Sequence, residues 1–255
     1  MNTKKSKVGV ACPTFNRPDF ARMLVLQMAN QERVPDVVCI HQNGTPESYE
    51  SIISDIAADF EVFWIHTAKD LPREHWYSVP IRRLLEAGCS EIFWCDHDDL
   101  YFRNHISRGL KLLHENQVDF SVNKKAEVLI LKEPYELHTG KYFNAASTML
   151  PGGMSSSMCF NRQFADEFVK DLETNLENLN FADHILTRIT KKKFKCHHHE
   201  GQATTVYVCH PGTVTSRDWL VSGEEVKTVE KRGPDLVVTS ELEDWVRQTA
   251  KKDSN

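Results

Sequence analysis

The sequence has no apolar run approaching the ~20 residues needed to span a bilayer. Its opening stretch, Met1-Asn2-Thr3-Lys4-Lys5-Ser6-Lys7, lacks the apolar core of a secretion signal. A basic footprint is missing too: the formal charge is -5 with Lys and Arg scattered, which argues against nucleic acid as a partner. Paired C-x-x-C spacing is absent, which counts against a zinc site at His197–His199 with Cys196 and Cys209 and favours a polar, solvent-facing strand there. No internal repeat or low-complexity segment interrupts the chain. These absences leave a globular protein with no membrane span, and a cytoplasmic location is the expectation.

Seven cysteines, an odd number, are present, and most sit in apolar strand-like stretches or at helix ends, as buried thiols of a reducing compartment do. With 255 residues the chain can close one sizeable core. Its 40% hydrophobic and 26% charged content is that of an ordinary globular protein. Lys191-Lys192-Lys193 is the one local basic run, and it reads as a solvated helix end complementing the dipole.

Strand-like and helix-like segments alternate through the first hundred or so residues, which predicts βα units and a mostly parallel sheet. Strands are expected at 8–12, 37–40, 61–66 and 92–95, with turn chemistry at Asn43-Gly44-Thr45-Pro46. Helices are expected after Pro18, over 48–59, and through Val79, Ile81, Leu84 and Leu85 to a stop at Gly88. Ile106, Leu110 and Leu113 mark a further helix, followed by strands near 120–122 and 128–131. Helices near 162–172 and 181–189, strands near 194–198 and 204–209, and an amphipathic helix over 240–250 complete the pattern.

The fourth strand, Ile92-Phe93-Trp94-Cys95, delivers Asp96-His97-Asp98-Asp99 at its carboxyl end, where open α/β sheets bind ligands. Like charges about 4 Å apart cost ~4 kcal/mol at an effective dielectric near 20, and a cation removes that cost. Hard oxygen ligands of this kind suit Mg2+ or Mn2+, with substrate phosphates and water filling the remaining positions. The competing reading is an acidic helix cap, with Asp98 or Asp99 starting the next helix. Among the histidines, His197 and His199 would share one face of a strand and His198 the other.

On these residues the sequence resembles the inverting family-two glycosyltransferases of the GT-A fold. Val8-Gly9-Val10-Ala11-Cys12-Pro13-Thr14-Phe15-Asn16-Arg17 is similar to the family's opening strand and loop. Val37-Val38-Cys39-Ile40-His41-Gln42-Asn43-Gly44-Thr45 is similar to its second strand, and Phe93-Trp94-Cys95-Asp96-His97-Asp98-Asp99 to its aspartate-x-aspartate segment. The match in type and order covers roughly residues 8–215, and the chain is also similar to glycosyltransferase domains encoded by large algal viruses. The resemblance implies a GT-A domain over 1–215, with a nucleotide-binding half at about 8–100 and an acceptor half at about 101–215. Residues 216–255 would be a helical extension packed on it.

The resemblance also implies roles. Pro13, Thr14, Phe15 and Arg17 would line the nucleotide pocket, with Arg73, Asp96 and His97 beside the donor. Where the family often carries a carboxylate that reads the base, this sequence has His41, Gln42 and Asn43; Asn43 offers both a donor and an acceptor to a base edge. Asp98 would be the direct ligand of Mn2+ or Mg2+, with Asp96 and a late histidine, His210, also at the metal. Gly152 and Gly153 would form a floor for the donor sugar. Phe181-Ala182-Asp183-His184 resembles the family's acidic motif without its glutamate, which leaves Asp183 as the base for the acceptor hydroxyl. The implied reaction moves a sugar from a nucleotide-sugar donor, UDP-sugar first, to a glycan acceptor with inversion. A nucleotidyltransferase or a silent nucleotide-sugar-binding protein stands as the alternative; for the former, Pro13-Thr14-Phe15-Asn16-Arg17 lacks a glycine-rich phosphate loop.

Overall fold

The computed structural model describes residues 6–123, 125–132, 136–144, 155–175, 185–186, 189–199, 201–209 and 227–228. The chain runs β1 (Val8–Thr14), α1 (Pro18–Ala29), β2 (Val37–Asn43), β3 (Glu61–Thr67), α2 (Arg73–Glu86) and β4 (Glu91–Trp94). Then follow β5 (Leu100–Tyr101), α3 (His105–Glu115), β6 (Phe120–Asn123), β7 (Lys125–Lys132), β8 (Glu136–Asn144), β9 (Cys159–Asn161) and α4 (Arg162–Thr174). The remaining described strands are β10 (Cys196–His199), β11 (Thr205–Cys209) and β12 (Lys227–Thr228).

A central sheet has the order β10-β6-β9-β4-β1-β2-β3, and only β9 runs against its neighbours. It is the mostly parallel α/β sheet that the βα rhythm predicts. The period-two geometry of a strand explains its two-sided burial. Val8, Val10 and Cys12 pack with Leu24, Val25 and Met28 of α1 and Ile106 and Leu113 of α3. Ala11 faces the opposite way, into a core with Ile81 and Leu84 of α2 and Phe164, Phe168 and Leu172 of α4. A second sheet, β12-β8-β7-β11-β5, begins where the chain leaves the acidic segment.

Local chemistry accounts for the helix ends. Pro18 opens α1 at a position where its missing N–H costs nothing. Gly88, at φ +84°, ends the α2 turn in the left-handed region, as the sequence predicts. The Asn161 side chain caps α4 by accepting from the Phe164 N–H at 2.9 Å.

The helix expected over 48–59 does not form; that stretch holds only a 3-10 turn, Glu50–Ile53. Its residues are half-buried or exposed, so tertiary packing adds little, and Ser54 bonds back to the Ser51 carbonyl at 2.8 Å. Arg22 reaches over from α1 to the Ile52 carbonyl and to Asp55. The acidic helix cap also fails: α3 starts at His105 with Asn104 in the cap position, six residues beyond Asp98. The lysine run closes a 3-10 turn, Thr190–Lys193, in which Lys193 pairs with Glu167 and with Asp171, each at 2.7 Å.

Cys12, Cys39, Cys89, Cys95 and Cys159 are buried free thiols, and Cys196 is half-buried. Among the described residues, no helix is long and apolar enough to cross a membrane. The helix expected at 240–250 and the 215/216 divide lie outside the described residues, as does most of the helix expected over 181–189.

Candidate active site

Four neighbouring parallel strands, β4, β1, β2 and β3, end at one edge of the sheet, and the loops beyond them build the site. Pairing of Pro13 with His41 and Thr14 with Gln42 fixes the β1 and β2 ends side by side. On the other flank the Cys95 N–H donates to the Ala11 carbonyl at 3.0 Å, which draws the acidic segment against β1. His97 completes that seam by donating from Nδ1 to the Pro13 carbonyl at 3.1 Å.

The three aspartates occupy different environments. Asp96 is half-buried; its Oδ1 accepts from the Trp94 indole at 3.0 Å and the Tyr77 hydroxyl at 3.3 Å. Its backbone carbonyl accepts from Tyr101 at 2.8 Å. Asp98, also half-buried, accepts from Arg17 Nη1 at 2.9 Å. Asp99 is 2% exposed, and its Oδ1 accepts from the Val208 N–H at 3.2 Å, tying the second sheet to the acidic loop. Burial, then the charges of Asp98 and Asp96, push the Asp99 carboxyl well above the usual carboxylate range. Tyr77 and Trp94, which orient Asp96, were not legible in the sequence as site residues; the indole two residues before the first aspartate is the one local signal.

At the end of β2 the side chains turn inward. Gln42 is buried and accepts from the Tyr49 N–H at 3.1 Å and the Trp64 indole at 3.0 Å. His41 lies with Nδ1 3.3 Å from the Trp76 carbonyl and Nε2 3.1 Å from Thr67 Oγ1. A carbonyl only accepts, so Nδ1 carries the proton and Nε2 accepts from the threonine in a neutral ring. Burial lowers the His41 pKa, in keeping with that state. Asn43 is 0% exposed; its amide donates to Asp70 Oδ1 at 2.7 Å and accepts from the Leu71 N–H at 3.0 Å.

Thr14, the last residue of β1, is buried with its hydroxyl 3.1 Å from Tyr49 Oη. Phe15 is 41% exposed, and its ring lies parallel to Trp76 within 5° at a centroid distance of 6.1 Å. Arg73 is the first residue of α2, and its side chain is outside what is described. Gly152, Gly153, Asp183 and His210 lie outside the described residues. The structure therefore brings together Pro13, Thr14, Phe15, Arg17, Asp96, His97 and Asp98 at one sheet edge, with Asn43 beneath.

Among the described residues, no three His, Cys, Asp or Glu side chains form a metal cage. Small divalent cations are commonly held by one or two carboxylates, with substrate phosphates and water completing the shell. Asp96 and Asp98 fit that donor set, and the upward push they exert on Asp99 is a like-charge cost that a cation would offset. The histidine strand does not join them. His199 pairs with Arg108 at 2.7 Å and His198 with Lys191 at 2.8 Å, while the rings of His197 and His199 stack 6.3 Å apart on one face.

No family model matches the chain. An uncharacterized glycosyltransferase of Rickettsia bellii (strain RML369-C) is 25% identical over 118 residues, 46% of this chain and 16% of that protein. Staphylococcus aureus TarS 1-349 in complex with UDP-GlcNAc superposes with a TM-score of 0.58 at 14% identity, over 81% of this chain and 60% of its own. The mannosyltransferase PcManGT of Pyrobaculum calidifontis, in complex with GDP-Man and Mn2+, gives 0.56 at 13% identity over 81% of this chain and 57% of its own. A 4-diphosphocytidyl-2C-methyl-D-erythritol synthase gives 0.54 at 9% identity over 82% and 95%. The chain thus spans about three fifths of the TarS and PcManGT structures and a sixth of the curated relative. Likeness at this level carries the fold: a single α/β domain of the kind found in GT-A glycosyltransferases, with a mostly parallel sheet flanked by helices.

Proposed function

We propose that the chain is a glycosyltransferase that moves a sugar from a nucleoside diphosphate donor to a hydroxyl of a glycan acceptor. The observation that carries this reading is the convergence of Asp96 and Asp98 with Thr14, Phe15 and Arg17 at the carboxyl edge of a GT-A sheet. The neighbours' bound UDP-GlcNAc and GDP-Man support a nucleotide-sugar donor, and Mn2+ in one of them supports a divalent cation. The order of preference for the donor is a UDP-sugar, then a deoxyhexose on UDP or dTDP, then a GDP-sugar.

In the proposed reaction the acceptor oxygen bonds to the anomeric carbon as that carbon's bond to the diphosphate oxygen breaks. The electron pair leaves on the diphosphate, and the hydroxyl proton passes to the Asp183 carboxylate. Base and leaving group on opposite faces of the sugar give inversion. Mn2+ or Mg2+, held by Asp98 with Asp96 and His210, would supply Lewis-acid charge at the diphosphate. Pro13, Thr14, Phe15, Arg17, Asn43, Arg73 and His97 shape the nucleotide side, and Gly152 and Gly153 the sugar side.

The test is a panel of UDP-, dTDP- and GDP-sugars, scored for Mn2+-dependent thermal stabilisation and for products. Release of nucleoside diphosphate with slow donor hydrolysis is the expected result. Release of pyrophosphate would instead favour nucleotidyl transfer, the reading suggested by the diphosphocytidyl synthase among the structural neighbours. Stabilisation without any turnover would mark a binding protein.

A further inference from the structure

The residue at the end of β2 that the sequence offers to a base edge, Asn43, is fully buried and spends its amide on its own protein. It donates to Asp70 Oδ1 at 2.7 Å and to the Leu71 carbonyl at 3.4 Å, and it accepts from the Leu71 N–H at 3.0 Å. Those bonds clamp the loop between β3 and α2. The same Leu71 carbonyl accepts from the Trp76 indole at 2.8 Å, so Leu71, next to Asp70 in the chain, ties Asn43 to the aromatic wall. Asp70 itself stays exposed.

Gly44 leaves the room in which the Asp70 carboxylate, held by Asn43, sits beside Phe15. A Cβ built on Gly44 would lie 2.7 Å from Phe15 Cε2 and 3.2 Å from both Cβ and Oδ1 of Asp70. The Phe15 ring and the Asp70 carboxylate therefore meet over the space that a side chain at residue 44 would fill. Gly44, at φ +73°, also adopts a backbone conformation that disfavours any such side chain. Phe15 is the exposed large hydrophobic among the described residues, and its ring runs parallel to Trp76. A flat apolar surface with an acceptor at its rim fits a planar heteroaromatic ring that carries an N–H on its edge.

We propose that Asp70, positioned by Asn43, reads the ring N–H of the donor's base as that base stacks on Phe15. The inference rests on the nucleotide-sugar reading above. A carboxylate is an acceptor only. Uracil, thymine and guanine present a ring N–H at that edge, whereas cytosine and adenine present a ring nitrogen lone pair, which the carboxylate repels. A uracil, thymine or guanine nucleotide is then the favoured donor, and cytidine and adenosine nucleotides, which can offer the carboxylate only their exocyclic amino group beside a repelling lone pair, bind more weakly. The discrimination comes from the β3–α2 loop, not from the end of β2.

The test is calorimetric binding of UDP, dTDP, GDP, CDP and ADP with Mn2+ to the full chain and to Asp70→Asn. The asparagine keeps an oxygen for the Asn43 amide and turns the other atom into a donor. In the wild type, the best of UDP, dTDP and GDP should bind roughly 30-fold or more tighter than CDP and ADP. In Asp70→Asn that gap should fall below about threefold, with CDP or ADP gaining, while the thermal midpoint without nucleotide stays unchanged. Asn43→Ala should lose the ranking too, while retaining binding of Mn2+-pyrophosphate, a probe with no base. Nucleotide binding whose ranking survives Asp70→Asn overturns the Asp70 assignment and leaves the transferase reading standing. Binding of none of the five overturns both.

Discussion

Arg17 donates from Nη1 to Asp98 Oδ2 at 2.9 Å, joining the loop after β1 to the loop after β4 across 81 residues of sequence. A guanidinium on the carboxylate proposed to hold the cation means that Arg17 and the cation draw on the same charge. Part-exposed pairs of this kind contribute up to about 1 kcal/mol. Removing Arg17 should therefore tighten Mn2+ binding about fivefold in the absence of nucleotide. It should also weaken binding of a nucleoside diphosphate, in whose pocket Arg17 is proposed to stand. A titration of free Mn2+ by electron paramagnetic resonance reads the first effect, and calorimetry the second. Asp98→Asn should lower metal-dependent turnover roughly 100-fold or more; near-wild-type turnover would remove Asp98 from the metal.

Asp183 should separate cleanly from Asp98. As the proposed base, its replacement by Asn should cut sugar transfer by roughly 100-fold to 10,000-fold. Binding of Mn2+ and nucleoside diphosphate should persist. A variant that loses nucleotide binding along with transfer would place Asp183 in a structural role instead.

Gly109 in α3 faces β4. An added Cβ would sit 2.7 Å from Phe93 Cζ, in closer conflict with Cε1 of the same ring, and 3.4 Å from Cys159 Cβ. Alanine gains about 1 kcal/mol of helix propensity over glycine, whereas overpacking a close-packed core costs about 1–3 kcal/mol. Gly109→Ala should therefore lower the melting temperature by roughly 2–4 °C. A rise would show that the β4–α3 seam is loose enough to shift.

His105 is buried beside Thr204, and burial pushes its pKa down to about 3. The folded protein keeps the ring neutral while the unfolded chain takes up a proton below about 6.5. Stability from this site is thus fully present above about pH 6.5 and is lost as pH falls toward 3. Urea unfolding at pH 6.5 and 4.5 should show His105→Gln flattening the acid slope by up to about 1.4 kcal/mol per pH unit. An unchanged slope would mean that another group governs the acid loss.

The strands were legible because their apolar runs are short and rich in β-forming residues, although β1 continues past its apolar run through Pro13 to Thr14. The acidic segment after Trp94 was legible from charge density at a strand end. The stretch over 48–59 misled because Ile52, Ile53 and Ile56 have helical spacing without a surface deep enough to bury them. Asp70 left no local trace, since a lone aspartate in a Lys-Asp-Leu-Pro loop looks like turn chemistry.

Taken alone, the sequence determined the parallel sheet and the clustering of Asp96, Asp98 and Asp99, because hydrophobic period and charge density are local properties. Tertiary structure decided which carboxylate meets which partner: Trp94 and Tyr77 on Asp96, Arg17 on Asp98, Val208 on Asp99, and Asn43 on Asp70. Apart from Trp94, those partners lie far along the chain. Crossover connections bring the ends of the parallel strands, with Arg17 and Asn43, to a common edge, α2 adds Tyr77, and β11 of the second sheet brings the Val208 N–H to Asp99.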